Sequence, residues 1–234
     1  MSSKFTKRPD GRKFDETRKI EAKAGVIKKA DGSAYFKIGK TTAYAAVYGP
    51  RELHPRHMQD PKTGILRCNY NMMPFSSEER VRPGPSRRSK EISMVTEKAL
   101  GPVMDLKDYP NAVVDVFIEL TETDAGSRCA GICAAAIALA DAGVTMKDMV
   151  SAISIGVIDN NIVMDLDGEE EHIEDVFVAD IPIAMVPSTG EITLLQMDGR
   201  MTKENLLEGI KMVKPVLKNI AEIQRKALKD KYKR

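Results

Sequence analysis

Cysteine, net charge and long apolar runs are all scarce in this 234-residue chain. The only cysteines are Cys68, Cys129 and Cys133. Their odd number and non-zinc spacing exclude a disulfide scaffold and read as reduced, buried thiols in a cytoplasmic protein. No apolar run reaches membrane-spanning length, so no membrane association is expected. The opening "MSSKFTKRPDGRKFDE" carries charge where a secretory signal needs an apolar stretch, so secretion is not expected either. His54, His57 and His172 lack the spacing of metal ligands. Internal repeats and low-complexity linkers are also missing. With 42% hydrophobic and 30% charged residues, the chain reads as one globular domain over 1–234, residues 1–8 forming a flexible tail.

A formal net charge of +2 points neither toward nor away from a polyanion. The distribution says more. Between Arg51 and Lys90 lie nine basic residues and four acidic ones. Between Asp159 and Asp180 lie nine acids and no Lys or Arg. One region suits a polyanion, the other a metal or a proton.

The pattern predicts strands in 18–49, with a hairpin at Gly39-Lys40, then a long polar loop and a strand in "ILRCNYNMM". Ser86 is placed to cap a helix reaching Leu100. "AVVDVFIEL" alternates as a strand, and a helix of small residues follows from Ser127 to Ala142. Strand pairs flank the Asp-Asn-Asn turn at 159–161 and the turn at Ser188-Thr189-Gly190. A helix from Thr202 closes the chain, with Pro215 expected to bend it. This order predicts an α+β fold with mixed sheets and not a doubly wound parallel sheet.

Two helix starts break a rule. A helix N-terminus is electrically positive and favours acids. "SRRSKE" places Arg87 and Arg88 in a first turn, and "GSRCAG" places Arg128 in another. Either these are solvated surface cations, or an anion such as phosphate sits between them, with Gly126 allowing close approach and Ser127 donating. Asp180 interrupts the apolar strand "FVADIPIAMVP", so it is either paired or chemically active, with Glu174 and Asp175 as its nearest acidic neighbours. Such a carboxylate pair suits Mg²⁺, or tunes one member as a general acid. Tyr70, near Arg67, is a candidate for stacking on a base.

In order, "RPDGR", "VYGPRELHPRH", "YNMMPFSSEER", "SRRSKEIS", "DAGSRCAGICAA" and "ADIPIAMVPS" resemble the ribonuclease PH family, most closely the catalytic subunits of archaeal exosomes. The resemblance runs from Arg8 to the C-terminus. It implies a two-layer ribonuclease PH domain and 3′→5′ phosphorolysis of single-stranded RNA, with inorganic phosphate as co-substrate and nucleoside diphosphates as product. Run in reverse, the reaction tails RNA. It also implies a hexameric ring, a trimer of heterodimers with a homologous inactive subunit, capped by RNA-binding subunits. By position, Arg88, Gly126, Ser127 and Arg128 correspond to the phosphate site, Asp180 to the general acid, and Arg67, Tyr70, Arg87 and Arg88 to RNA contacts. Mg²⁺ is expected on Asp180 and Asp175. The second acid is open: Glu174 keeps the family's spacing of six residues before Asp180, whereas Asp175 keeps the aspartate. The alternatives are a non-catalytic RNA-binding ring subunit and a homohexameric tRNA-trimming ribonuclease PH.

Overall fold

The helix of small residues is the centre of the molecule. In the computed structural model, which describes residues 5–173 and 176–233, helix α2 spans Ser127–Asp141. Every residue of α2 except Arg128 and Ala140 is buried. It is covered on opposite sides by two sheets. The first has strands β1 (Ile20–Ala24), β2 (Gly32–Ile38), β3 (Thr41–Glu52), β4 (Ile65–Met72) and β5 (Ala112–Glu122), in the order β1-β2-β3-β5-β4. The second has β6 (Ser151–Ile158), β7 (Asn161–Met164), β8 (Val178–Val186) and β9 (Glu191–Leu195), in the order β7-β6-β8-β9. α2 packs on β2, β3 and β5 from one side and on β6 and β8 from the other. Alanine, glycine and cysteine are what this double contact requires. A Cβ on Gly32 of β2 would lie 2.2 Å from the backbone nitrogen of Ala142.

The sheets follow from alternation. Phe36, Ala43 and Leu120 face one another in register across β2, β3 and β5, as do Ala34, Ala45 and Ile118 one pleat away, and all six are buried. β4 runs parallel to β5, so the first sheet is mixed. The second is antiparallel throughout, which corrects the expectation that both would be mixed. Helix α1 (Arg87–Leu100) lies along β4, the edge strand. Its Glu97 and Ser93 side chains accept the N–H groups of Cys68 and Tyr70 at 2.8 and 2.9 Å, which closes that edge to further pairing. Helix α4 (Lys203–Tyr232) runs through Pro215 and packs on β1, β6 and β7. Among the described residues no helix is long and apolar enough to cross a membrane.

The acidic stretch expected as a loop holds one helical turn, α3 (Gly168–Glu171), capped by Asp167. Its Glu170 is completely buried and meets Arg8, also buried, in a two-pronged ion pair with contacts of 2.6 and 2.7 Å. Arg8 donates as well to the carbonyls of Met164 and Asp165. The expectation of a flexible tail through residue 8 is therefore corrected at its end. Arg8 is buried because a guanidinium with this many fixed acceptors is held in place, and Phe5 is buried against Ile158, Val163 and Leu166. Nearby, Arg18 pairs with buried Asp165 through contacts of 2.7 and 3.0 Å.

Removing one partner of a buried ion pair strands the other in a low dielectric. Arg8→Ala is expected to lower unfolding stability by about 3–5 kcal/mol, read as a drop in the urea midpoint. An unchanged midpoint in both Arg8→Ala and a chain lacking residues 1–8 would show that the N-terminal segment does not anchor the fold.

Candidate active site

The turn entering α2 is built from unusual backbone. Ala125 and Gly126 both lie in the left-handed region, at φ 56° and 63°, which is costly for alanine and holds only where neighbours over-determine it. Three groups do so. Thr41 Oγ1 donates to the Ala125 carbonyl at 2.6 Å and accepts from Asp124 N at 2.8 Å. The Arg18 guanidinium donates to the Asp124 carbonyl. The Asp124 carboxylate accepts from Gly168 N at 3.0 Å, joining this turn to α3. The outcome is a fixed helix N-terminus, its unpaired N–H groups directed to one place.

Two adjoining cavities open there, of about 530 and 120 Å³. Arg88, Arg128, Glu171, Asp180 and Pro182 line both, and Gly126 and Ser127 line the smaller. Neither α1 nor α2 has an acid in its first turn. Both present a cation there, to a shared space that favours an anion. Arg128 reaches Gln196 Oε1 at 2.5 Å and Glu91 at 3.9 Å.

Asp180 enters from β8 on the opposite wall. Its Oδ1 is buried without a partner among the described residues. Burial pushes its pKa up to about 7. Glu171 adds to the rise, Asp198 adds less, and Arg128 and a hydrogen bond with Ser154 oppose it. Glu171 is itself raised, chiefly by burial, with His172 and Arg88 pulling it down. The cysteines are buried and their thiols are pushed up by desolvation, Cys133 to about 12. They are inert packing groups.

Arg88, Gly126, Ser127, Arg128 and Asp180, dispersed through the sequence, thus come together. Three RNA-contact expectations fare differently. Arg87 is exposed on the first turn of α1 and lines neither cavity. Arg67, on β4, lines a separate groove of about 700 Å³ and is pinned to Asp115 by contacts of 2.6 and 3.0 Å. Tyr70 is 1% exposed, and its hydroxyl donates to Ser127 Oγ at 2.9 Å. The expectation that it stacks on a base is corrected: β4 alternates Tyr70 into the core, leaving no free ring face. Glu174 and Asp175 lie outside the described residues. Among those that are described, no group of three or more His, Cys, Asp or Glu side chains is arranged to hold a metal ion. Of the expected magnesium pair, Asp180 lines this cavity and Asp175 lies outside the described residues.

Sequence reasoning missed Glu171, Asp198, Gln196 and Glu91, all of which line the larger cavity. Glu171 was one of three consecutive glutamates with nothing to single it out. Asp198 reaches the site because its backbone pairs with that of Asp180, two bonds of 2.8 Å joining them.

Residues 16–145 match domain 1 of the 3′ exoribonuclease family, and residues 148–213 match domain 2. The chain is 53% identical over 226 residues to the exosome complex component Rrp41 of Thermococcus gammatolerans, covering 97% of this chain and 90% of that protein. The proteins of the same name from Methanopyrus kandleri and Thermoplasma volcanium are 50% and 47% identical, with coverage of 96% and 97% of this chain and 93% and 90% of theirs. The crystal structure of rice Rrp46 superposes with a TM-score of 0.82 at 22% identity, covering 94% of this chain and 100% of that one, a likeness of fold alone. The chain therefore belongs to the 3′ exoribonuclease, or RNase PH, family.

Proposed function

We propose that this chain is a phosphate-dependent 3′→5′ exoribonuclease that works as the phosphorolytic subunit of an exosome-type assembly. The observation that carries the reading is the convergence of Arg88, the Gly126–Arg128 turn and Asp180 on one cavity. Inorganic phosphate sits between the two arginines at the start of α2. One phosphate oxygen attacks the phosphorus of the last phosphodiester. The bond from that phosphorus to O3′ of the preceding nucleotide breaks, and the terminal nucleotide leaves as a nucleoside 5′-diphosphate. The departing O3′ takes a proton from Asp180 and remains as the new 3′ hydroxyl. Arg88 and Arg128 counter the charge on both phosphoryl groups. Read backwards, the same steps extend RNA from nucleoside diphosphates.

A non-catalytic ring subunit would have no need of a buried carboxyl raised to about 7 in a cavity lined by two arginines, so the scaffold alternative is not favoured. The high identity to archaeal Rrp41 proteins sets the homohexameric tRNA-trimming alternative aside as well. A multisubunit ring including a homologous inactive subunit, and RNA-binding caps, belong to the same proposal. So does a single folding unit, supported by one cluster of buried side chains that runs through both sheets. RNA is held by exposed cations, Arg88 at the site, Arg87 beside it on the outer face of the first turn of α1, and Arg67 along the groove beside β4. Among the undescribed pair, Glu174 and Asp175, one residue is the second acid, and single substitutions to Gln and Asn separate them.

Arg128→Ala is expected to leave the fold intact and lower phosphorolysis by roughly 10²–10³-fold, the usual loss for one preorganised charge-stabilising donor. Nucleoside diphosphate release from RNA in phosphate buffer measures it. Full turnover without phosphate, giving nucleoside monophosphates, would reject phosphorolysis.

Asp180 acts in its protonated form. A carboxyl raised to about 7 is protonated below that pH and loses its proton above it. Turnover at saturating phosphate should therefore fall by about tenfold per pH unit on the alkaline side of 7, and Asp180→Asn should nearly eliminate product while RNA still binds. A flat profile to pH 9, or near-normal release by Asp180→Asn, would remove Asp180 from the mechanism.

RNA affinity should fall steeply with salt and be nearly indifferent to base sequence, because cations contact the backbone and release counterions. Filter binding of homopolymeric and mixed oligonucleotides across a salt series checks this, and a strong base preference would count against it.

A further inference from the structure

Arg128 does not lie free in the cavity while it waits for an anion. Its Nη1 donates to Gln196 Oε1 at 2.5 Å, and Gln196 Nε2 donates to Glu91 Oε1 at 3.0 Å. The orientation of the amide is unambiguous. A guanidinium only donates and a carboxylate only accepts, so Oε1 faces Arg128 and Nε2 faces Glu91. Gln196 follows the last residue of β9, and Glu91 belongs to α1, so the three groups come from three elements. The direct contact between Arg128 and Glu91 is long, at 3.9 Å, and the amide is interposed.

The chemistry of an amide in this position is distinctive. It is a neutral acceptor. It fixes one edge of the guanidinium, which the helix dipole would otherwise push away, without neutralising its charge. A carboxylate at the same place would fix it equally well but would compete directly with any anion. The cavity already contains Glu91, Glu171, Asp180 and Asp198 against Arg88 and Arg128, so one further negative charge beside Arg128 weighs heavily.

We propose that Gln196, oriented by Glu91, is a positioning residue that presents Arg128 to inorganic phosphate with its charge uncancelled. The inference rests on the reading of Arg128 as the phosphate ligand. It deepens that reading by assigning phosphate affinity to a side chain that acts through Arg128.

The test is kinetic. Gln196→Glu keeps size and acceptor while adding charge; Gln196→Met keeps length and removes the acceptor without adding charge. Each is assayed for phosphorolysis of a fixed oligoribonucleotide over a phosphate series, and for inorganic phosphate binding to the full chain by calorimetry. Folding is checked by thermal melting. Gln196→Glu should raise the phosphate KM and Kd by about tenfold or more, leaving the KM for RNA within about twofold. Gln196→Met should raise the phosphate KM by a smaller factor. A merely structural role would lower the melting temperature without separating the two substrates. A wild-type phosphate KM in folded Gln196→Glu, alongside an Arg128→Ala variant that has lost phosphate affinity, would overturn the inference. Arg128→Ala with unchanged phosphate affinity would remove the reading beneath it.

Discussion

Everything in this molecule depends on burying one helix on two sides. α2 is held between two sheets, and burial of a helix on opposite faces leaves space only for small side chains. The energetic return is spread along its length, through Ile132, Ile137 and Leu139 and the alanines between them, each fully buried. The consequence for function is rigidity. A helix locked between sheets cannot rotate or slide, so whatever stands at its N-terminus has a fixed position. There stand a left-handed turn, a serine held by a buried tyrosine hydroxyl, and an arginine.

That arginine is in an electrostatically poor place, and the rest of the site compensates for it. The dipoles of α1 and α2 point their positive ends, and two cations, into one space. The acids around this space sit on separate elements: Glu91 on α1, Glu171 on α3, Asp180 on β8 and Asp198 just after β9. None makes a close ion pair with Arg128, so its charge remains available to a ligand. Asp180, buried and next to Glu171, is raised to about 7 and so carries its proton below that pH. Two arginines facing an anion site and a carboxyl that can give up a proton near neutral pH are the two halves of phosphate attack and leaving-group protonation.

The N-terminal arginines serve this arrangement from behind. Arg8 and Arg18 lie in the interior, where they tie the chain's first segment to α3 and to the turn before α2. Through Asp124 and Gly168, the turn that offers N–H groups and the helical turn that carries Glu171 share a hydrogen bond. The "RPDGR" segment therefore contributes structure, and it does so with charge because its partners are buried carboxylates and carbonyls.

Local pattern by itself determined the strands, the cap at Ser86, the small-residue helix and the misplaced cations at two helix starts, because each follows from periodicity or from the dipole of a single helix. The spaced motifs carried the family. Tertiary structure decided the rest. Tyr70 and Arg67 lie three residues apart on β4, so opposite faces of the sheet take them, one to the core and the other to Asp115. Arg8 reads as a tail residue until Glu170, far along the chain, comes to meet it. Glu171, Gln196 and Glu91 carry no local signal, since their importance lies in distances to Asp180 and Arg128. A pKa near 7 at Asp180 is likewise a property of the cavity: desolvation and neighbouring charge exist only once the chain has folded.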